Sequence, residues 1–372
     1  MNRKILFDLV IYACVGIISC MLTGCAANPS VQTEGKEAAQ YGNMAKDQSK
    51  QAEDESRQTR KIIIDTDCGG DDAVALIMAA KADNIEILGI TVSEGNVTLA
   101  QAVDNALMSL EMAGSDAPVY AGANTTYTGK ERKVFSVFGK DGMGDKDLIH
   151  PKRKAENGNA VDFIIDTVRA NPDEVEIIAL GPVTNLAHAF DKAPETMKRV
   201  KRFWSMGTTG FGDGNATPVA EFNVYHDAEA YKVFAGSGAP ITALGFDLMN
   251  ENVRFEKNEL DELAKMGDLQ KYVADSFSGL VRFNSEKNGA AFADCPDGLL
   301  MACAIWDGFI QDIQPCHASV MTDDDETYGQ VILYKKGFGY DTGITFDDYS
   351  FNVITKIESE AFKDKLLSVL EK

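Results

Sequence analysis

The sequence predicts an α/β fold: an open, mostly parallel (mixed) sheet flanked by helices and built as a single domain. Short apolar runs such as 61–64 and 85–92 alternate with stretches of helical character such as 73–80 and 99–113. Strands alternating with helices are typical of parallel sheets covered by helices. Polar turns follow several of these runs, and in such sheets ligands bind beyond the carboxyl ends of the strands.

The remaining elements continue this alternation along the chain. Strands are predicted at 117–122, 175–180, 200–206 and 241–246, with helices at 160–170, 228–234, 258–283 and 361–370. Residues 123–158 are predicted to form a long, glycine-containing loop. A loop of this length beside a site is either a lid or substrate-binding segment, or an ordinary surface excursion.

The first residues predict a signal for export to the cell envelope. Residues 1–24 combine a basic start with an apolar run too short to span a bilayer comfortably, and end in Leu22-Thr23-Gly24 before Cys25. This resembles a bacterial lipobox, which predicts a cleaved signal peptide, a lipidated Cys25 and an extracytoplasmic, membrane-anchored lipoprotein; a plain signal peptide or short anchor is the alternative. Residues 25–59 are polar and predict a disordered tether, which leaves 60–372 as the folded domain.

Composition excludes some partners and cysteine chemistries. The net charge of −21 argues against binding of nucleic acid by the folded part. The cysteines show no C-x-x-C spacing, so a zinc site is not expected. Cys68 and Cys295 both lie beside acidic motifs, and the sequence leaves open whether they form a disulfide.

An acidic cluster directly follows the first predicted strand. Asp65, Asp67, Asp71 and Asp72 lie within eight residues, where their charges repel one another unless a positive partner is present. Carboxylate oxygens are the preferred ligands of hard divalent cations such as Ca²⁺ and Mg²⁺. A cation site is therefore favoured over a solvated turn in which an Asp merely caps the next helix.

Two other interpretations of this cluster fit less well. An EF-hand loop counted from Asp65 requires Glu at its twelfth position, which is Leu76 here. A phosphoryl-transfer Asp-x-Asp motif of the haloacid-dehalogenase type expects Thr or Val where this chain has Gly69. A magnesium-dependent phosphohydrolase is therefore the weaker hypothesis.

A second polar stretch spans residues 215–227. Asn215, Glu221 and Asn223 supply donors and acceptors suited to sugar hydroxyls. Asp227 is predicted to cap the helix that begins at residue 228. His226 is a candidate acid or base, but a surface histidine at the start of a helix is the preferred interpretation.

Together these stretches resemble the inosine–uridine preferring nucleoside hydrolases. The first cluster matches that family's Asp-x-Asp-x-Gly-x-Asp-Asp-Ala signature, with Cys68 where Pro is usual. The turn at 91–96, the strand-to-helix turn at 178–185 and the segment at 215–227 follow in the family's order. The resemblance covers residues 60–372.

The resemblance implies calcium-dependent hydrolysis of the N-glycosidic bond of ribonucleosides to ribose and free base. It implies four Ca²⁺ ligands: the carboxylates of Asp67, Asp72 and Asp297 and the main-chain carbonyl of Leu180. It implies two catalytic residues, Asp67, which takes a proton from the attacking water, and Asn223. It implies that the ribose is held by Asp71, Asn96 and Asn223, and its 5′ end by Asn215 and Glu221. A homodimer or homotetramer is also implied.

Two departures concern the leaving base. The family often places a histidine before the last metal-binding Asp, and this chain has Pro296; a second usual histidine corresponds to Phe138. Phe138, Phe292 or Tyr225 could stack on a base instead, although a place in the core or in the wall of the site is the preferred interpretation of each. The base preference stays open. Without the histidine, a non-catalytic nucleoside- or sugar-binding lipoprotein is the alternative function.

Overall fold

A computed structural model describes residues 59–131, 136–323, 325–339 and 343–372. The predicted signal peptide and nearly all of the predicted tether, including Cys25, lie outside these residues. Among the described residues, no helix has the length and apolarity needed to cross a membrane.

Eleven strands and twelve α-helices are numbered here in chain order. The strands are β1 (Arg60–Thr66), β2 (Ile85–Val92), β3 (Val119–Ala121), β4 (Val175–Ala179), β5 (Arg202–Met206), β6 (Ile241–Leu244), β7 (Phe255–Glu256), β8 (Phe292–Ala293), β9 (Ile310–Val320), β10 (Val331–Lys335) and β11 (Phe351–Ile357). The helices are α1 (Gly70–Ala80), α2 (Leu99–Ala113), α3 (Ala160–Ala170), α4 (Thr184–Lys192), α5 (Pro194–Met197), α6 (Phe222–His226), α7 (Ala228–Ala235), α8 (Lys257–Leu263), α9 (Asp268–Ser276), α10 (Ser278–Asn288), α11 (Pro296–Ile305) and α12 (Phe362–Leu370).

Nine strands form one mixed sheet, which confirms the predicted fold class. Their order is β10-β9-β11-β6-β5-β4-β1-β2-β3. The neighbours from β3 to β11 run parallel, whereas β9 pairs antiparallel with both β11 and β10. The chain moves outward from β1 to β3 and then returns to place β4 on the other side of β1. This reversal opens a crevice beyond the carboxyl ends of β1 and β4, where ligands bind in such sheets.

The sheet is buried on both faces because its central strands place apolar residues on both of them. Ile62 and Ile64 pack into the layer built by α1, α2, α9, α11 and α12, while Ile63 packs into the opposite layer with α3, α4 and α7. This alternation follows from the two-residue period of a strand. The two layers fix β1 from both sides and thereby fix the turn that follows it.

Two local predictions need correction. The predicted helical region 258–283 contains three helices, α8, α9 and α10, separated by a turn at 264–267 and by Phe277. The short antiparallel ribbon of β7 and β8 was not predicted, because two-residue strands leave no periodic signal. In the 123–158 loop, residues 136–138 form a 3₁₀ helix.

Candidate active site

Three carboxylates converge at the end of β1. Asp71 and Asp72 lie in the first turn of α1, and Asp297 lies in the first turn of α11. These helices pack against each other, and one oxygen from each side chain lies within 4.8 Å of the other two. All three residues are buried. The structure therefore brings together residues separated by more than 200 positions in the sequence.

The electrostatics of this cluster fit a hard cation. Asp67 Oδ1, Asp71 Oδ1 and Asp297 Oδ1 are buried and have no hydrogen-bond partner among the described residues. Burial, with repulsion from Asp72, raises the pKa of Asp71 to about 7. Burial and then repulsion from Asp71 raise the pKa of Asp297 well above its ordinary value. Buried, mutually repelling carboxylates with free oxygens are a donor set suited to a divalent cation.

Asp72 also holds its own turn together. Its carboxylate accepts hydrogen bonds from Thr66 Oγ1 at 2.5 Å and from the backbone N–H of Gly69 at 2.8 Å, which caps the start of α1. The helix-capping role weighed from the sequence is thus present alongside the cluster. Thr66 Oγ1 in turn accepts from the N–H of Cys68 at 3.1 Å. These bonds orient Asp72 towards the cluster.

Asp67 lies between two glycine turns. Its Oδ2 accepts from the backbone N–H of Asn96 at 2.5 Å. A Cβ atom on Gly95 would lie 2.1 Å from Asp67 Oδ2, and one on Gly181 would lie 2.4 Å from Oδ1. Burial and the charge of Asp72 raise the Asp67 pKa well above its ordinary value. Only glycine at both positions leaves room for this carboxylate.

Asn223 contacts the carbonyl that was predicted as a metal ligand. Its Nδ2 donates to the carbonyl oxygens of Leu180 at 2.6 Å and Met206 at 3.1 Å. These bonds use both amide hydrogens and leave Oδ1 to accept from a ligand. Asn96 Nδ2 lies 3.4 Å from Asp72 Oδ2, so both predicted sugar-binding amides border the carboxylate cluster.

Asp65 connects the elements around the site through hydrogen bonds. Its Oδ1 accepts from Thr91 Oγ1 at 2.5 Å and from Asn185 Nδ2 at 2.9 Å. These bonds join the ends of β1 and β2 to the start of α4. Asp65 is not part of the three-carboxylate cluster.

Asn215 and Glu221 organise the segment before α6. Glu221 caps α6 by accepting from the backbone N–H groups of Asn223 at 3.0 Å and Val224 at 3.2 Å. Asn215 Oδ1 accepts from the N–H of Phe222 at 2.8 Å. Burial raises the pKa of Glu221 to about 8.

A cavity of about 620 Å³ joins these groups. Its lining includes predicted site residues, namely Asp71, Asn96, Asn215, Glu221, Asn223 and Asp297. It also includes aromatic or apolar residues, namely Val137, Phe138, Phe246, Leu280, Phe283, Phe292 and Pro296. Because Val137 and Phe138 belong to the long 123–158 loop, part of that loop does form the wall of the site.

Other predictions about side chains near the site have mixed outcomes. Cys68 and Cys295 are both buried and both free, so the disulfide left open by the sequence is not formed. Tyr225 packs edge-on against Tyr328, with ring centroids 5.6 Å apart. The prediction of a surface His226 is wrong, because this residue is 2% exposed at the end of α6. Asp227 caps α7 as predicted, accepting from the N–H of Ala230 at 3.1 Å.

Three charged residues of the cavity were missed by the sequence reasoning. Arg254 and Asp294 flank the β7–β8 ribbon, and Lys287 lies near the end of α10. Nothing in local spacing links Arg254 to a site 43 residues downstream. The only available signal was the position of Asp294 three residues before Asp297.

The site therefore combines a doubly wound sheet, a buried acidic cluster at its switch point and a cavity lined by carboxylates, amides and aromatic rings, which is the place where sheets of this class bind small ligands. Residues 62–364 match the family model of the inosine-uridine preferring nucleoside hydrolases. The chain therefore belongs to this family of N-glycosyl hydrolases.

Individual relatives agree with the family assignment. An uncharacterised protein of Schizosaccharomyces pombe is 42% identical over 193 residues, covering 51% of this chain and 62% of that protein. Uridine nucleosidase 1 of Arabidopsis thaliana is 39% identical over 218 residues, covering 58% of this chain and 65% of that protein. The matched part of the chain thus spans less than two thirds of both relatives. Pyrimidine-specific ribonucleoside hydrolase RihB of Escherichia coli is 32% identical over 300 residues, covering 77% of this chain and 94% of that protein.

Solved structures share the fold over nearly their whole length. A plant nucleoside hydrolase, PpNRh1, superposes with a TM-score of 0.77 at 28% identity, covering 84% of this chain and 99% of that chain. A purine-preferring ribonucleoside hydrolase from Gardnerella vaginalis superposes with a TM-score of 0.75 at 27% identity, covering 84% and 98%.

Proposed function

We propose that this protein hydrolyses the N-glycosidic bond of ribonucleosides, releasing ribose and the free base. The observation that carries the proposal is the single cavity shared by the carboxylates Asp71 and Asp297 and the amides Asn96 and Asn223. The carboxylates and amides of this cavity can bind a sugar diol, and its aromatic residues can pack against a base. The similarity to a uridine nucleosidase and to pyrimidine-specific and purine-preferring ribonucleoside hydrolases supports the same reaction class.

We propose Ca²⁺ as the cofactor. Asp67, Asp72 and Asp297 would hold it through carboxylate oxygens and Leu180 through its carbonyl oxygen, a set of the type that Ca²⁺ prefers. Asp71 is an additional donor, because its oxygen lies within the same 4.8 Å cluster as those of Asp72 and Asp297. A divalent cation supplies positive charge that orients sugar hydroxyls and lowers the pKa of nearby water.

The protein side chains then act as follows in the proposed reaction. Asp67 accepts a proton from the water that attacks the anomeric carbon. Asp71, Asn96 and Asn223 bind the ribose 2′ and 3′ hydroxyls, and the buried carboxylates stabilise the positive charge that develops on the sugar ring. The 5′ end contacts Asn215 and Glu221.

The deciding experiment is a nucleoside panel with the purified chain from residue 26 onward. Ribose release from uridine, cytidine, inosine, guanosine and adenosine is measured with Ca²⁺, with Mg²⁺ and with a chelator. We expect hydrolysis of at least one nucleoside and its loss on chelation. If no nucleoside is cut at any cation concentration while calorimetry detects tight nucleoside binding, the protein is a binding lipoprotein and the enzymatic proposal is wrong.

We further propose that Cys25 carries a lipid that anchors the protein to the outer face of a bacterial membrane. The apolar run before Cys25 and the polar composition of residues 26–59 support this location. An anchored nucleoside hydrolase would act on nucleosides outside the cytoplasm.

A further inference from the structure

Arg254 and Asp294 form a charged pair on the wall of the cavity. In the β7–β8 ribbon, Phe255 pairs with Ala293, so the residues just outside it, Arg254 and Asp294, lie opposite each other. Arg254 Nε lies 3.4 Å from Asp294 Oδ1. Strand β8 leads directly into α11, so one short segment carries both Asp294 and Asp297 to the cavity, and the pairing of β7 with β8 places Arg254 beside Asp294.

The guanidinium of Arg254 is held in place, but its N–H donors are not all used by contacts among the described residues. Its Cζ lies 4.1 Å from the centre of the Phe292 ring, a cation–π contact. Apart from the ion pair at 3.4 Å, neither Arg254 Nε nor Asp294 Oδ1 has a hydrogen-bond partner within the described ranges. The Arg254 side chain is 30% exposed, at a position that lines the cavity. Because a guanidinium has five N–H donors, most of its donors are available to a ligand.

The pair lies where a leaving base would be placed. A ribonucleoside whose hydroxyls contact Asp71 and Asp297 must extend its base into the rest of the cavity. The cavity lining includes Phe283, Phe292 and Pro296, and the last two lie within two residues of Asp294 in the chain. Pro296 has no ionisable side chain, so any charge stabilisation of the base must come from another residue.

We propose that Arg254, positioned by Asp294 and Phe292, binds the leaving base and stabilises the negative charge that develops on it. This inference rests on the proposed nucleoside hydrolysis and assigns its leaving-group residue. A fixed cation in a partly desolvated pocket stabilises a developing anion more strongly than water does. Arg254 acts by charge and hydrogen bonding and keeps its own proton.

The step balances without a protein acid. The C1′–N bond breaks with its electron pair remaining on the base nitrogen, and a new C1′–O bond forms from water. The proton lost by water goes to Asp67, and the base later takes a proton from solvent. The developing charge is shared with ring carbonyl oxygens, which are acceptors for Arg254. Uracil, cytosine, hypoxanthine and guanine carry such oxygens and adenine does not, so adenosine is the nucleoside of the panel expected to be cleaved least.

The test compares two substrates that differ in their need for leaving-group stabilisation. Uridine releases a poor leaving group, whereas p-nitrophenyl β-D-ribofuranoside releases a phenolate that is stable without help. We expect Arg254→Met to lower kcat on uridine by about 100-fold, the size typical for loss of one electrostatic donor. Turnover of the p-nitrophenyl riboside should change less than about threefold, which also shows that the variant is folded.

Arg202→Met is the matched control, because Arg202 also makes a cation–π contact, with Cζ 5.1 Å from the centre of the Trp204 ring, but is not among the residues that line the cavity. Its uridine turnover should stay within about threefold of wild type. Arg254→Lys should recover part of the lost uridine turnover. Asp294→Asn should selectively lower uridine turnover, by less than Arg254→Met, because it loosens the positioning of Arg254.

Equal losses on both substrates in Arg254→Met, or an equal uridine loss in Arg202→Met, would overturn the role of Arg254. If the wild-type protein cleaves no nucleoside of the panel, the proposed function itself fails. In that case calorimetric binding of uridine to wild type and to Arg254→Met still tests the contact, and equal affinity refutes it.

Discussion

At the scale of single residues, Asp67 combines the properties required of a general base. It is buried, one oxygen accepts from the N–H of Asn96, and the other has no partner among the described residues. Its position is fixed by its neighbours and not by a flexible loop. A carboxylate held this way can accept a proton repeatedly in one geometry.

Asp67→Asn is therefore expected to lower kcat on the best nucleoside by at least about 1000-fold, because the amide cannot accept the proton of the attacking water. Circular dichroism and the cooperative unfolding transition should remain like those of the wild type. Turnover close to wild type would remove Asp67 from the role of base.

The buried carboxyl group of Glu221 leads to a prediction about how folding stability depends on pH. Burial raises its pKa from an ordinary value of 4.5 to about 8, so the folded state holds this proton more tightly than the unfolded state. The contribution of Glu221 to stability is then full below pH 4.5 and is lost as the pH rises towards about 8, with a slope of up to about 1.4 kcal/mol per pH unit.

Glu221→Gln keeps an oxygen that can cap α6 but cannot titrate. Urea unfolding of both proteins in chelator from pH 5 to pH 8 should show a shallower loss of stability in Glu221→Gln. Parallel curves for the two proteins would mean that Glu221 is ionised in the folded state at neutral pH.

At the scale of elements, the site is made by turns that follow parallel strands. The turn after β1 carries Asp67, and the turns after β2 and β4 carry Gly95 and Gly181, which leave room for it. The sequence predicted the polar turns because each follows an apolar run. It did not predict the role of the glycines, because their closeness to Asp67 exists only in the assembled sheet.

Gly95→Ala should therefore displace Asp67, since its Cβ would lie 2.1 Å from Oδ2. We expect a loss of turnover of about 100-fold or more, consistent with the cost of misplacing a reacting group by about an ångström. Gly339→Ala is the control, because no atom in the described part of the chain lies within 4 Å of its added Cβ. Similar kinetics for the two variants would contradict this account of the turn.

At the scale of the whole molecule, the acidic cluster links metal binding to stability. Asp71, Asp72 and Asp297 come from two helices that pack against each other, so their repulsion acts between α1 and α11. A cation that binds only the folded state stabilises it, by about 2.7 kcal/mol when the ligand is at 100 times its Kd.

Saturating Ca²⁺ should thus raise the Tm of the chelated protein by about 5 °C, measured by scanning calorimetry. Mg²⁺ should raise it less, because its strict octahedral geometry suits a rigid protein cage poorly. Asp297→Asn should respond weakly to Ca²⁺. A wild-type Tm that is indifferent to both cations would argue against a cation at this cluster.

The anchor is a separate prediction for the complete chain in bacteria. Cys25→Ser should abolish incorporation of labelled fatty acid and shift the protein from the membrane fraction to the soluble fraction or to an uncleaved precursor. The hydrolase activity of the folded domain should be retained. Membrane association unchanged in Cys25→Ser would favour a plain membrane anchor.

The sequence by itself determined the strand–helix alternation, the acidic turn and the ribose-type segment, because these are local patterns of burial and polarity. The family resemblance implied that Asp297 joins the acidic turn, and the structure brings its carboxylate to Asp71 and Asp72. Only the tertiary structure decided that His226 is buried and that Arg254 reaches the same cavity. The physical reason is that these relations depend on which helices pack together and on a ribbon too short to be recognised. Chemistry within one turn can be predicted from neighbouring residues, whereas the wall facing that turn is made by chain folded back from far away.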